Sequence, residues 1–150
     1  MTQRLNNTHV IPDAMKALAQ SHAYLHGHTS LSKTLIDLIF LRTSQINGCA
    51  YCIDMHSRDL LKGGLSVDKL LLVPVWREAA HLFDEREQAA LAWTEVVTNV
   101  AASHVPDEAY AAAAAVFDDK DLADITFAIG LMNAYNRLGV SFRLKPAAKA

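Results

Sequence analysis

What this sequence lacks narrows its chemistry before any motif is read. It has only two cysteines in 150 residues, and a chain of that length with 51% hydrophobic content buries an ordinary core without disulfide staples or structural metals. It has no surplus of either charge: a formal net charge of −2 with mixed signs offers no footprint for a phosphate backbone, so nucleic acid is not an expected partner. No window reaches the roughly 18 apolar residues that span a membrane, and Met1 to Pro12 holds no apolar stretch of signal-peptide length. The expectation is a soluble, cytoplasmic protein with no membrane partner. Sustained two-residue alternation is also missing, as are a linker, a convincing internal repeat and a composition break. The chain therefore reads as one all-α domain over 1–150.

What is present is helix upon helix. Asp13 to about Gly27 carries Met15, Leu18 and Ala19. Ser32 is positioned as an N-cap for a helix through Leu35, Ile36, Leu38, Ile39 and Leu41 to Ile46, and Asn47-Gly48 is a turn. A helix from about Cys49 to Leu61 ends at Gly63-Gly64, so the two form an antiparallel hairpin. Ser66 caps a short helix that Pro74 interrupts, and a connection runs to Leu82. Asp84 and Glu87 have capping-box spacing ahead of a helix through Val97. Pro106-Asp107-Glu108 starts another through Phe117, and Asp118 or Asp119 caps the last, to about 143. Ala111 to Ala115 reads as a packing surface, because alanine favours helix and lets helices approach closely. So much small apolar surface also points to self-association.

Both cysteines lie in one run, Cys49-Ala50-Tyr51-Cys52-Ile53-Asp54-Met55-His56. In a reducing compartment such a pair suits catalysis or metal binding better than a structural bridge. The haem-attachment pattern needs histidine directly after the second cysteine, where Ile53 stands. On a helix, Cys49, Cys52 and His56 share one face, while Tyr51, Ile53 and Met55 point elsewhere. A free thiol with a pKa of about 8.5 is only a few per cent ionised at neutral pH. Reaching half ionisation takes about 2 kcal/mol of differential stabilisation. The helix N-terminus supplies part, and His56 supplies the rest, either as a base for Cys52 or as an imidazolium paired with its thiolate.

Asp37 interrupts the run Leu35-Ile36-Asp37-Leu38-Ile39, where a carboxylate is costly unless paired. In the hairpin it stands level with His56, which is one candidate partner, Arg42 or a lysine being others. Ser44 and Gln45 either reach the thiols or form a solvated helix end. Tyr51 either roofs the site or packs in a core or subunit interface. Two readings compete with redox chemistry. One is a pair of buried thiols with an incidental histidine; the other is zinc held by Cys49, Cys52 and His56, with a fourth ligand from Asp37 or a distant histidine. His22 and His26 have chelating i, i+4 spacing, but a histidine is also comfortable near a helix C-terminus without any role.

The stretch Leu41 to His56, with its Asn-Gly-Cys-Ala-Tyr-Cys core, closely resembles the AhpD-like alkylhydroperoxidases of the carboxymuconolactone decarboxylase family. The likeness continues through Pro74 to Glu78, Ala90 to Glu95 and Asn133 to Arg137. The resemblance implies an all-helical fold assembled as trimers or hexamers, with thiol peroxidase or disulfide reductase activity and no organic cofactor or metal. It implies a peroxide substrate and regeneration by a protein or small-molecule dithiol. Carried over, Cys52 is peroxidatic, Cys49 resolving and His56 the base of a proton relay. Asp37 stands where the family has a glutamate, twelve positions before the first cysteine. Aspartate is one methylene shorter, so a water bridge is the expected link. Tyr51 replaces a histidine of the best-studied branch, and tyrosine cannot supply the same proton chemistry near neutral pH. The rival functions are a redox-responsive binding or scaffold protein and the non-redox decarboxylase of the family name.

Overall fold

A computed structural model describes residues 2–148 of the chain; residue 1 and residues 149–150 of the expected 1–150 domain lie outside it. Nine α-helices and two short 3-10 turns, with no strand, make up the regular structure of the described residues. They are α1 (Asn7–Val10), α2 (Pro12–Gly27), α3 (Lys33–Asn47), α4 (Ala50–Lys62), α5 (Val67–Leu72), α6 (Glu85–Thr98), α7 (Val100–Ser103), α8 (Asp107–Ala114) and α9 (Asp119–Phe142). The all-helical, single-domain expectation holds, and α1 and α7, each a single turn, are additions that periodicity cannot register.

The capping residues act as their chemistry dictates. Ser32 accepts from the Leu35 backbone N–H at 3.1 Å, Ser66 from Lys69, and Asp118 from Asp121 at 2.7 Å. Asp84 and Glu87 complete a reciprocal capping box. Gly48 ends α3 in the left-handed region at φ 68°, a conformation that costs glycine nothing, and turns the chain back into α4.

Helix α3 is the centre of the molecule. Leu35, Ile36, Leu38, Ile39, Phe40 and Leu41 are all buried, so the helix is apolar around nearly its whole circumference and is packed on every side. It lies against α4, α6 and α9. One core cluster joins Ile36, Ile39 and Phe40 to Ile125, Ile129 and Met132 of α9; a second joins Leu38 and Leu41 to Leu60, Val73, Trp76 and Leu91. Each fully buried leucine or isoleucine contributes roughly 1.5–3 kcal/mol.

Polar fastenings fix the register. Glu95 of α6 accepts from Arg42 Nε at 2.8 Å and Trp76 Nε1 at 3.0 Å, and it also pairs with Arg77. Burial alone raises the Glu95 pKa, but these donors outweigh it and hold the carboxyl below its ordinary range. At the far end of α3, Asn136 donates to Ser44 Oγ at 3.0 Å, and Asn47 donates to both Asn133 and Asn136.

Two expectations need correction. Ser44 is neither a solvated helix end nor a partner of the thiols: it is fully buried and donates to the Phe40 carbonyl. Gln45 accepts from Arg42. Within Ala111 to Ala115 only Ala113 is buried, because an eight-residue helix turns one stripe inward and leaves the rest outside.

Candidate functional site

The hairpin of α3 and α4 places the redox run at the start of a helix, because Gly48 reverses the chain and Cys49 then N-caps α4. Cys49 is extended, at φ −86° and ψ 93°, and its Sγ accepts from the Cys52 N–H at 3.4 Å. It therefore precedes the helix, and the angular placement expected for a helical Cys49 does not apply. The two Cα atoms are 5.4 Å apart and the sulfurs are joined as a disulfide. Cys52 sits in the first turn of α4, where unpaired N–H groups favour negative charge.

One turn further, His56 is buried to 1% exposure. Neither of its ring nitrogens has a hydrogen-bond partner among the described residues. Its Nδ1 lies 3.7 Å from Oδ1 of Asp37, within ion-pair range but beyond a direct hydrogen bond. The hairpin thus brings together the two residues whose heights match along antiparallel helices. Lys33, one turn before Asp37, pairs with its other oxygen. Burial pushes the Asp37 carboxyl up, yet the His56 imidazole and the Lys33 ammonium prevail and hold it below the usual aspartate range.

A cavity of about 300 Å³ opens on this cluster. Cys52 and His56 form one wall with Tyr51 and Met55; Met15, Ala19 and His22 of α2, Met132 and Tyr135 of α9, Leu144, and Asn7 and Thr8 of α1 form the rest. Cys49 is not part of the lining. The two cysteines are therefore inequivalent: Cys52 lines the cavity and Cys49 does not. Tyr51 and Met55, expected to point away, share the cavity with Cys52 and His56. Tyr51 and Met55 form one i, i+4 stripe on α4 beside that of Cys52 and His56, and a cavity wider than one stripe gathers both. Tyr51 is 37% exposed and is not core packing within the chain.

Three neighbours escaped sequence reasoning. Gly139 of α9 lies against the disulfide: a Cβ there would stand 2.9 Å from Cys49 Sγ and 3.6 Å from Cys52 Sγ. The available signal was a glycine inside a long helix, where it costs about 1 kcal/mol relative to alanine and so needs a packing reason. His22, read above as near a helix end, lines the cavity and stacks on Phe40 with ring centroids 5.5 Å apart. Burial, then the neighbouring His26 and His56, lower its pKa, which favours the neutral ring. Asp59, one turn past His56, completes a group with Asp37 and His56 in which one ligand atom from each lies within 4.8 Å of the others. The zinc shell of Cys49, Cys52 and His56 is not what the structure assembles, since the sulfurs are bonded to one another.

No helix among the described residues is long and apolar enough to cross a membrane. Compared with known families, residues 12–96 match the carboxymuconolactone decarboxylase family. The chain is 32% identical to the uncharacterized protein YdfG of Bacillus subtilis (strain 168) over 149 residues, which is 99% of this chain and all of the other. Its fold superposes with a TM-score of 0.94 on a crystal structure from Agrobacterium tumefaciens, a protein of unknown function described as a candidate antioxidant defence protein AhpD. That pair shares 38% identity, over 99% of this chain and 100% of the other. The debrominase Bmp8, at 20% identity and a TM-score of 0.80 over 91% of this chain and 73% of its own, shares the fold alone. A fold that also serves a debrominase does not determine the substrate; the site must.

Proposed function

The chain belongs to the carboxymuconolactone decarboxylase family, in its AhpD-like group, and from that premise we propose that it is a thiol-dependent peroxidase cycling between a Cys49/Cys52 dithiol and the disulfide. The observation that carries the reading is the cavity wall on which Cys52 meets a buried His56 whose ring nitrogens have no hydrogen-bond partner among the described residues. A buried histidine whose ring nitrogens are not taken by protein groups keeps its bonding capacity for a group that enters the cavity.

In the cycle, His56 accepts the Cys52 proton and the thiolate attacks one peroxide oxygen. The O–O bond breaks, Cys52 becomes a sulfenic acid, and the leaving alkoxide or hydroxide takes the proton from His56. Cys49 then displaces the sulfenic oxygen as water and forms the disulfide. Two electrons have passed from the thiols to the peroxide, and a dithiol, protein or small molecule, returns them. Asp37, with Oδ1 3.7 Å from Nδ1, orients the imidazole and stabilises its charged form. Cys52 borders the cavity while Cys49 does not, which supports the first as peroxidatic and the second as resolving. Neither an organic cofactor nor a metal takes part.

The proposal includes a reducing, cytoplasmic setting and a homo-oligomer, a trimer or hexamer. Exposed Val67, Leu71 and Val75 offer apolar surface for such an assembly to cover, and light scattering on the purified protein gives its mass. The functional test is peroxide consumption by pre-reduced protein with excess dithiol. Sustained turnover that vanishes in Cys52→Ser supports the reading. Oxidation of one equivalent without turnover, for every peroxide and dithiol tried, replaces it with a redox-responsive binding role.

A further inference from the structure

We propose that Asp37, His56 and Asp59 form an inhibitory binding site for a first-row divalent cation, with Zn²⁺ the ion that its ligand types suit. One imidazole nitrogen and two carboxylate oxygens are acceptable zinc ligands, and here one atom of each lies within 4.8 Å of the others. Ligands about 2.1 Å from a tetrahedral zinc stand about 3.4 Å apart. The 3.7 Å between His56 Nδ1 and Asp37 Oδ1 is already close to that spacing, and the 4.8 Å limit on the whole group leaves the Asp59 carboxylate only a short distance to draw in.

An independent observation points the same way. Both nitrogens of His56 are buried without a hydrogen-bond partner among the described residues, so Nδ1, 3.7 Å from Asp37 Oδ1, meets that carboxylate with no competing bond. The Asp59 carboxylate likewise makes no side-chain hydrogen bond or ion pair among the described residues. It lies three residues after His56 on α4, which sets it on the same face, while Asp37 reaches across from α3. Two carboxylates against the single Lys33 ammonium leave the group negative.

The effect on chemistry follows from imidazole tautomerism. A metal on Nδ1 takes that lone pair, and a neutral ring then carries its proton on Nε2. His56 in that state cannot accept the Cys52 proton, so the ion blocks the base without touching either sulfur. This consequence rests on the peroxidase reading; the binding itself does not.

The test uses the full-length, disulfide-closed protein, in which neither cysteine is a free thiol. Zn²⁺ is titrated in competition with a chromophoric chelator. Wild type is expected to take up one ion per chain, Asp59→Asn to bind at least about 10-fold more weakly, and Lys33→Met, at an exposed side chain, to bind roughly 5-fold more tightly. Absence of binding in wild type overturns the proposal. So does unchanged affinity in a folded Asp59→Asn, or, if that variant does not fold, unchanged affinity in Lys33→Met. A second arm follows one turnover of pre-reduced protein with peroxide, free of added dithiol, each variant compared with itself with and without Zn²⁺. Zn²⁺ should slow wild type and spare Asp59→Asn. Zn²⁺ binding by a protein that consumes no peroxide retains the site and removes the peroxidase reading; binding that leaves turnover untouched removes the inhibitory role.

Discussion

Helix α3 carries two acid-base clusters, and they are resolved in opposite ways. Arg42 meets Glu95, whose carboxylate is saturated by Arg42, Trp76 and Arg77. Asp37, about 140° around the same helix, stands 3.7 Å from Nδ1 of His56, a buried ring whose nitrogens make no hydrogen bond among the described residues. A saturated network fixes a structure, because every atom already has its partner. An unsaturated one bordering a cavity keeps bonding capacity for something that arrives. That contrast separates scaffold from chemistry among buried polar groups that look alike in a burial profile.

The first way to break the comparison is to remove the unsaturated partner. His56→Gln keeps a polar side chain but loses the base, and peroxidase kcat/KM is expected to fall by about 10²–10⁴-fold with the helical signal retained. Steady-state kinetics beside circular dichroism decide it; a loss smaller than about 3-fold would place His56 with the scaffold instead.

Asp37→Asn comes next. Turnover is expected to fall by about 30-fold through lost orientation of the imidazole. The same variant has a pH signature. Since the folded-state Asp37 is held below its ordinary value, it contributes stability that is present above the unfolded-state pKa of about 3.9 and is lost as pH falls through the lower folded-state value. The stability gap between wild type and Asp37→Asn should therefore narrow below about pH 4 in urea titrations. A gap that stays constant down to pH 2 would mean that the carboxylate is not held by its partners.

Gly139→Ala sharpens the picture within the site. An added Cβ at 2.9 Å from Cys49 Sγ forces that sulfur or α9 to move. Disulfide closure after peroxide attack should slow by about 10-fold, while the first step, at Cys52, changes less; stopped-flow fluorescence resolves the two phases.

Glu95→Gln has the smallest effect on chemistry. Activity per folded molecule is expected to stay within about 2-fold, but unfolding free energy should drop by about 3 kcal/mol, since Arg42 and Arg77 lose a charged acceptor. A large loss of turnover with unchanged stability would erase the distinction between the clusters.

Much of this organisation was legible in the chain, for reasons that differ by residue. Ser32, Gly48, Ser66, Asp84 and Asp118 act through local hydrogen bonds or local dihedrals, so spacing alone locates the helix ends. Asp37 was conspicuous as a charge in an apolar run, and hairpin arithmetic placed it opposite His56. Gly139, His22 and Asp59 were not legible as site residues because the only local signals, a glycine inside a helix and a pair of histidines at i, i+4 spacing, do not say what they pack against. Gly139 comes from α9, ninety positions after Cys49, and His22 from α2, so both arrive by tertiary packing. Tyr51 and Met55 were misdirected by treating one helical stripe as the whole site. The stretches Pro74 to Glu78 and Ala90 to Glu95, similar to the family, hold Trp76, Arg77 and Glu95, which the structure places in the fastening of α6 rather than at the thiols.

The most direct test of the contrast is the reactivity of Cys52 itself in the reduced state. In a Cys49→Ser background, where only one thiol remains, the second-order rate of alkylation by iodoacetamide at pH 7 reports its thiolate fraction. The account predicts that adding His56→Gln lowers this rate by about 10-fold, whereas adding Glu95→Gln leaves it within about 2-fold. Equal rates with and without His56 would contradict the claim that the buried imidazole is held in reserve for the thiol.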